Sequence, residues 1–262
     1  MGMKSFRLRR MEQYILEKEN VSMEELCKEF DISMNTVRLD VASLVQKGSI
    51  KKVYGGVCSN RQNSLVPFEE RKMKNNDKKR SVCRAAAKLV TDGDVIYVDS
   101  GTTMMYLPDY LGDRKNITLL TNNLNVITRA VPFANIQVIC LPGLLERKTN
   151  SFVSAETGKI LERYNIKKAF FAATGITEHG DITNSSALEY AIKREAMKNS
   201  IHNYLLLDSS KYGKSALLTY AHVSDMEQVI VDEEMSPALV KLCEQHNVKV
   251  EVIKIEKGEE NS

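Results

Sequence analysis

Seven short apolar runs recur between residues 94 and 253: "DVIYVD", "ITLLTN", "IQVIC", "KKAFFAAT", "NYLLLD", "EQVIVD" and "VKVEVI". Stretches patterned as helices separate most of them, among them "TTMMYLPDYL", "LNVITRAV" and "SALEYAIKREAMK". A strand that is apolar along its whole length has to be covered on both faces, and strands separated by helices pair in parallel through crossovers. The pattern predicts an α/β domain on a largely parallel sheet. Ligands of such sheets bind beyond the carboxyl ends of the strands, so the residues that follow each run are the ones to inspect.

After the first run come Asp99, Ser100, Gly101, Thr102 and Thr103. Glycine lets the backbone approach a ligand, while hydroxyls and a following helix N-terminus favour an anion. The second run ends in Thr121, Asn122 and Asn123. The third leads into "PGLLERKTNSF", with Arg147 and Lys148 as cations. The fourth ends in Thr174, Gly175, Ile176 and Thr177, and the fifth in Asp208, Ser209, Lys211 and Lys214. One such loop is the ordinary way to leave a strand. Five on one sheet edge point to a small anionic ligand, held by Ser100, Gly101, Thr102 and Thr103. Glu189 and Lys193 stand one helical turn apart. They suit contact with a sugar, and equally a surface pair worth a few tenths of a kcal/mol.

The first sixty residues are patterned differently. Leu8, Met11 and Ile15 recur at helical spacing in "RLRRMEQYILEK". In "VSMEELCKEF", Ser22 and Glu25 match a capping box and Val21 is placed to staple onto Leu26. After "DIS", Ser33 reads as the N-cap of "MNTVRLDVASLVQK", whose Val37, Val41, Leu44 and Val45 form one apolar stripe that Gly48 terminates. Two capped helices joined by a short turn make a helix-turn-helix. "SIKKVYGGV" then suits a strand of a basic wing, with Lys51 and Lys52 at phosphates. The second helix offers Asn35, Thr36 and Arg38 near its N-terminus, where base edges are met. A three-helix packing module that reads nothing is the alternative.

Charge is unevenly spread. Residues 1–90 hold 19 Lys/Arg against 11 Asp/Glu, and residues 91–262 hold 18 against 23. A basic front on an acidic body suggests a polyanionic partner for the front alone. The five cysteines are scattered without a CxxC pair, and the four histidines form no HxH or HxxxH cluster. Neither a disulfide framework nor a metal site is expected. No apolar run approaches the roughly 20 residues that span a bilayer, and "MGMKSFRLRRMEQY" lacks the apolar core of a signal peptide. A cytoplasmic protein without membrane association is expected.

The stretch "SMNTVRLDVASLVQKGSIKKVYGGV" resembles the signature of DeoR-family bacterial transcriptional regulators through Ser33, Thr36, Val37, Arg38, Asp40, Leu44, Gly48, Ile50, Lys52, Tyr54, Gly55 and Gly56. The family's second arginine is Leu39 here, so operator preference does not transfer from relatives. A carboxylate beside phosphates is repelled, and Asp40 is expected to partner a neighbouring basic side chain instead. "VDSGTT", "TNN", "FFAATGIT", "LEYAIKREAM" and "LLLDSSKYGKSALLTY" continue the resemblance into the family's effector domain. That implies a fold similar to ribose-5-phosphate isomerase and a phosphorylated sugar-like effector. "NTVR", "KKVYGGV", "LVPFE", "RKTNSFV", "YNIKKAF" and "SSKYGKSALLTYA" together are most similar to the myo-inositol catabolism repressor subgroup.

The expected organisation is a winged helix-turn-helix over residues 1–57, a linker over 58–76 and an effector-binding domain over 77–262. The expected DNA contacts are Ser33, Asn35, Thr36, Arg38, Lys51, Lys52 and Tyr54. The expected effector contacts are Asp99, Ser100, Gly101, Thr102, Thr103, Asn122, Lys148, Thr174, Gly175, Glu189, Lys193, Asp208 and Lys211. No cofactor is expected, and symmetric half-sites favour a homo-oligomer. Isomerases of this fold carry "D-G-A-D-E" where this chain has "TGITE", so Thr174 and Thr177 replace carboxylates and Glu178 alone stays acidic. A regulator sensing a sugar phosphate is the leading reading. An isomerase with an accessory DNA-binding head, and a DNA binder with a vestigial pocket, are the alternatives.

Overall fold

Helices α1 (Met3–Lys18), α2 (Met23–Phe30) and α3 (Met34–Gln46) pack with strands β1 (Asn20–Ser22), β2 (Ile50–Val53) and β3 (Gly56–Ser59) in the N-terminal unit. The computed structural model describes residues 3–18, 20–46, 50–53, 55–59 and 68–253. Met11, Ile15, Val21, Leu26, Val37, Val41, Leu44, Ile50 and Val57 form the buried cluster of this unit. Ser22 caps α2 by accepting the Glu25 N–H at 3.0 Å. The reciprocal half of the expected box is replaced, because the Glu25 carboxylate takes the Tyr14 hydroxyl at 3.0 Å and Lys18 at 2.9 Å.

The wing is a three-stranded antiparallel sheet in the order β1-β3-β2. Its third strand, β1, was not legible as a strand, since three residues carry too little period. The glycine pair has two separate reasons. Gly55 has φ +80, and a Cβ on Gly56 would lie 2.4 Å from the Val21 carbonyl oxygen of β1. Gly48 and Tyr54 lie outside the described residues.

The chain divides into two compact units, Met1–Leu65 and Val66–Ser262. The expected linker of 58–76 therefore loses residues at both ends. Cys58 pairs with Asn20 and Lys51 in the wing sheet. Phe68 opens helix α4 (Phe68–Met73) and is 1 % exposed within the core of the second unit. Burying one phenylalanine contributes about 1.5–3 kcal/mol, which ties this polar stretch to the body.

All seven apolar runs are strands of one sheet: β4 (Val95–Val98), β5 (Ile117–Thr121), β6 (Ile136–Cys140), β9 (Ile166–Phe171), β12 (Ser200–Leu207), β14 (Gln228–Val231) and β15 (Lys249–Val252). Their order is β15-β14-β12-β9-β4-β5-β6, and every pairing is parallel. Alternate side chains supply two cores. Ile96, Val98, Leu119, Phe170, Leu206 and Ile230 pack on one face against α4, helix α5 (Asn76–Ala87), the 3-10 segment Met104–Tyr110 and helix α6 (Leu124–Ala130). Tyr97, Leu120, Phe171, Leu205, Leu207 and Val231 pack on the other against helices α7 (Thr157–Leu161), α8 (Ala187–Lys198) and α9 (Pro237–Gln245).

Two smaller sheets stand beside the main one. Hairpin β7 (Leu144–Glu146) and β8 (Ser151–Val153) comes from "PGLLERKTNSF". Strands β10 (Gly175–Ile176), β11 (Asp181–Asn184) and β13 (Leu218–His222) form an antiparallel sheet. These strands are short and half polar, so their pairing depends on contacts distant in sequence.

Candidate functional site

The outward arc of α3 is the first candidate surface. Val37, Asp40, Val41 and Leu44 are buried, whereas Asn35, Arg38, Leu39, Ala42, Ser43 and Gln46 are exposed. Asp40 is 1 % exposed and accepts the Arg7 Nε–H at 2.7 Å, so α1 supplies the basic partner expected for it. Ser33 and Thr36 serve the helix start. The Ser33 hydroxyl accepts the Thr36 N–H at 3.3 Å, and the two hydroxyls lie 2.9 Å apart. Lys51 and Lys52 are exposed on β2, while Tyr54 lies outside the described residues.

The second candidate site lies at the carboxyl ends of β4, β9 and β12, which are neighbours in the sheet. After β4 the chain turns through Ser100, Gly101, Thr102 and Thr103, and Gly101 has φ +123, a conformation that favours glycine. The Asn123 side-chain amide donates to the Asp99 carbonyl at 3.3 Å and the Gly101 carbonyl at 3.0 Å. Asn123 also caps α6, accepting the N–H groups of Asn125 and Val126. The end of β5 thus fixes the shape of the loop after β4. Beneath it, the Cys83 thiol donates to the Thr103 carbonyl at 3.0 Å.

The floor of the site is polar and internally bonded. Lys193 on α8 is ion-paired with Asp99 and donates to the Ala172 carbonyl at 2.9 Å. Asp99 also accepts the Ala172 N–H at 3.0 Å and the Tyr97 hydroxyl at 3.3 Å. Burial pushes the Asp99 carboxyl above its ordinary value, with Lys193 opposing. Glu189, one turn earlier on α8, accepts from the Ser151 hydroxyl at 2.9 Å and the Asn184 amide at 3.4 Å. Glu189 and Lys193 are 4 % and 2 % exposed, so they are not a surface pair. Among the described residues, Asn122 Oδ1 is a buried acceptor with no hydrogen-bond partner, while its amide donates to the Phe152 carbonyl at 3.2 Å.

Cations gather around Lys211 and Asp208. Burial pulls the Lys211 ammonium below its ordinary value; Asp208 opposes this, and Arg71, Lys214 and Lys74 add to the depression. Lys79, 3 % exposed, is pulled down to about 8 by burial, against the attraction of Asp208. Its ammonium donates to the carbonyls of Arg71 and Lys74, the latter at 2.6 Å. Arg71 is depressed by burial, opposed by Glu189, and donates to the Lys148 carbonyl at 3.3 Å. Although burial acts to raise it, the Asp208 carboxyl is held below its ordinary value by Lys211, Ser210, Asn75 and Lys79.

The fold thus brings together Asp99–Thr103, Asn122, Glu189, Lys193, Asp208 and Lys211. Lys148 enters through its main chain and is exposed. Thr174 is half-buried, with its hydroxyl 3.4 Å from Asn184 Oδ1. Gly175 has a packing reason, since a Cβ there would lie 2.4 Å from the Lys214 carbonyl oxygen. Arg71 and Lys79 join this cluster and are not among the expected effector contacts. Their charge belongs to the body and not to the DNA-binding front: residues 66–90 contribute 8 Lys/Arg against 3 Asp/Glu, and residues 1–65 contribute 11 against 8. The run "RKMKNNDKKR" carried the signal, at the join of two helices of the body.

The DeoR-like helix-turn-helix domain matches residues 7–63, and the DeoR C terminal sensor domain matches residues 74–233. The chain is 41 % identical to the HTH-type transcriptional regulator IolR of Bacillus subtilis, over 95 % of this chain and 99 % of that one. It is 32 % identical to the L-fucose operon activator of Haemophilus influenzae, over 90 % and 95 %. It is 25 % identical to the glycerol-3-phosphate regulon repressor of Escherichia coli, over 88 % and 92 %. Ribose 5-phosphate isomerase A from Methanocaldococcus jannaschii overlaps 53 % of this chain and 55 % of its own, at 21 % identity and a TM-score of 0.40. The full-length relatives are regulators of transcription, not enzymes. With both domain models matched in order along it, the chain belongs to the DeoR family of DNA-binding transcriptional regulators.

Proposed function

We propose that the chain is a cytoplasmic repressor of carbohydrate or polyol catabolic genes whose second unit binds a phosphorylated sugar-like effector. The observation that carries this reading is the pairing of a cation cluster, buried Lys79 with half-buried Arg71 and Lys211, with buried Glu189 and the orphan acceptor Asn122 Oδ1. A phosphate matches the cations, and hydroxyl groups match the acceptors. The loop Ser100–Thr103 adds hydroxyls beside them. Asp99 and Lys193 neutralise each other and hold the floor in place. Asn35, Arg38 and the wing lysines Lys51 and Lys52 contact the operator, and Ser33 and Thr36 orient the helix that presents Asn35 and Arg38. The likeness to the inositol subgroup motifs and to IolR makes inositol-derived phosphates the first compounds to test. Symmetric half-sites call for a homo-oligomer.

Operator binding in the presence of phosphorylated sugars and polyols, each beside its unphosphorylated counterpart, tests the reading. One phosphorylated compound is expected to shift the DNA affinity, and by linkage the DNA shifts the affinity for that compound equally. If no phosphorylated compound changes either the affinity or the melting temperature, the pocket is not a sensor.

A further inference from the structure

Leu39 is 68 % exposed on the outward arc of α3. At 100° per residue, Asn35, Arg38, Leu39, Ala42 and Gln46 fall on one side of the helix, opposite the buried Val37, Val41 and Leu44. Leu39 lies almost directly opposite the centre of that buried stripe, with Ala42 one turn further on. Ser43, the next residue along, is turned back and donates to the Leu39 carbonyl at 3.0 Å. The arc carries one charge, Arg38, and no carboxylate, because Asp40 is turned inward onto Arg7. Exposed Lys51 and Lys52 on β2 add positive charge to the same unit.

A single exposed leucine on a protein surface needs no explanation. This one lies where a duplex is read, and it has no polar atom to offer a phosphate or a base edge. In the major groove the apolar feature that distinguishes one base from another is the thymine 5-methyl group. We infer that Leu39, supported by Ala42, contacts a thymine methyl in the operator and thereby specifies a thymine at that position. The inference rests on α3 being the DNA-reading helix, as proposed above.

The test selects duplexes from a random pool with the full chain, then replaces each thymine of the selected sequence by deoxyuridine, which lacks only the methyl group. At one thymine of the recognised sequence, deoxyuridine is expected to weaken wild-type binding roughly three- to fivefold, the factor expected for burying one methyl group. The Leu39→Ala protein, altered at an exposed position, is expected to be indifferent to that replacement and to select a sequence degenerate there. Arg38→Ala is expected to bind more weakly overall and to keep the methyl dependence. If deoxyuridine is neutral at every thymine, or equally harmful to Leu39→Ala, the inference is overturned while α3 remains a reading helix. A pool from which wild type enriches no sequence overturns both.

Discussion

The Lys193 ammonium, on α8, is ion-paired with the Asp99 carboxylate, 94 residues away at the end of β4. The two side chains are 2 % and 1 % exposed, and the ammonium also lies 5.0 Å from the centre of the Tyr220 ring. The pair locks the loop after β4 to the helix that carries Glu189. A displacement of either element therefore reaches the other directly.

Breaking that pair from one side leaves an uncompensated buried charge. Lys193→Met is expected to destabilise the protein by about 3–5 kcal/mol. The double variant Asp99→Asn with Lys193→Met removes both charges and is expected to recover part of that loss. Urea denaturation of the two variants beside wild type checks the order; equal losses would show that the pair carries no special weight.

Lys79 is expected to give the proposed effector site a pH dependence. Burial pulls its ammonium in the folded protein down to about 8, below the ordinary lysine value near 10.4. Between these values the unfolded chain binds more protons, so this group's contribution to stability rises with pH across that window. A bound phosphate favours the charged ammonium and reverses the balance. Effector affinity is therefore expected to fall as pH rises through about 8, with proton uptake on binding at pH 8.5. Calorimetry in two buffers of different ionisation enthalpy measures that uptake, and Lys79→Met should abolish it.

Lys211→Ala removes a half-buried cation beside Asp208. The effector concentration at half response is expected to rise roughly tenfold or more, as for loss of a charge-assisted hydrogen bond. DNA affinity without effector should stay as in wild type. An unchanged midpoint in a DNA-release titration would remove Lys211 from the site.

Arg38→Ala is expected to weaken operator binding by about 1–3 kcal/mol, the range of a bidentate base contact, and to relax sequence choice at one position. Gel-shift titrations on selected and scrambled duplexes separate loss of specificity from uniform loss of affinity. Uniform loss would make Arg38 a phosphate contact.

The sequence by itself determined the architecture. Each of the seven strands of the main sheet was legible as an apolar run, because a strand covered on both faces must be apolar throughout. The capped helices of the front end were equally legible, since Ser22 and Ser33 satisfy N–H groups only three residues away. Tertiary structure decided what local pattern cannot encode. The strand order placed β4, β9 and β12 side by side and so brought Asp99, Ala172 and Asp208 to one edge. Burial removed the surface-pair alternative for Glu189 and Lys193 and made them separate partners of Ser151 and Asp99. Packing likewise brought Arg71 and Lys79 together with Asp208 and Lys211, and paired Asp40 with Arg7. Charge and spacing are read along the chain, but which charges meet depends on packing between segments far apart in it.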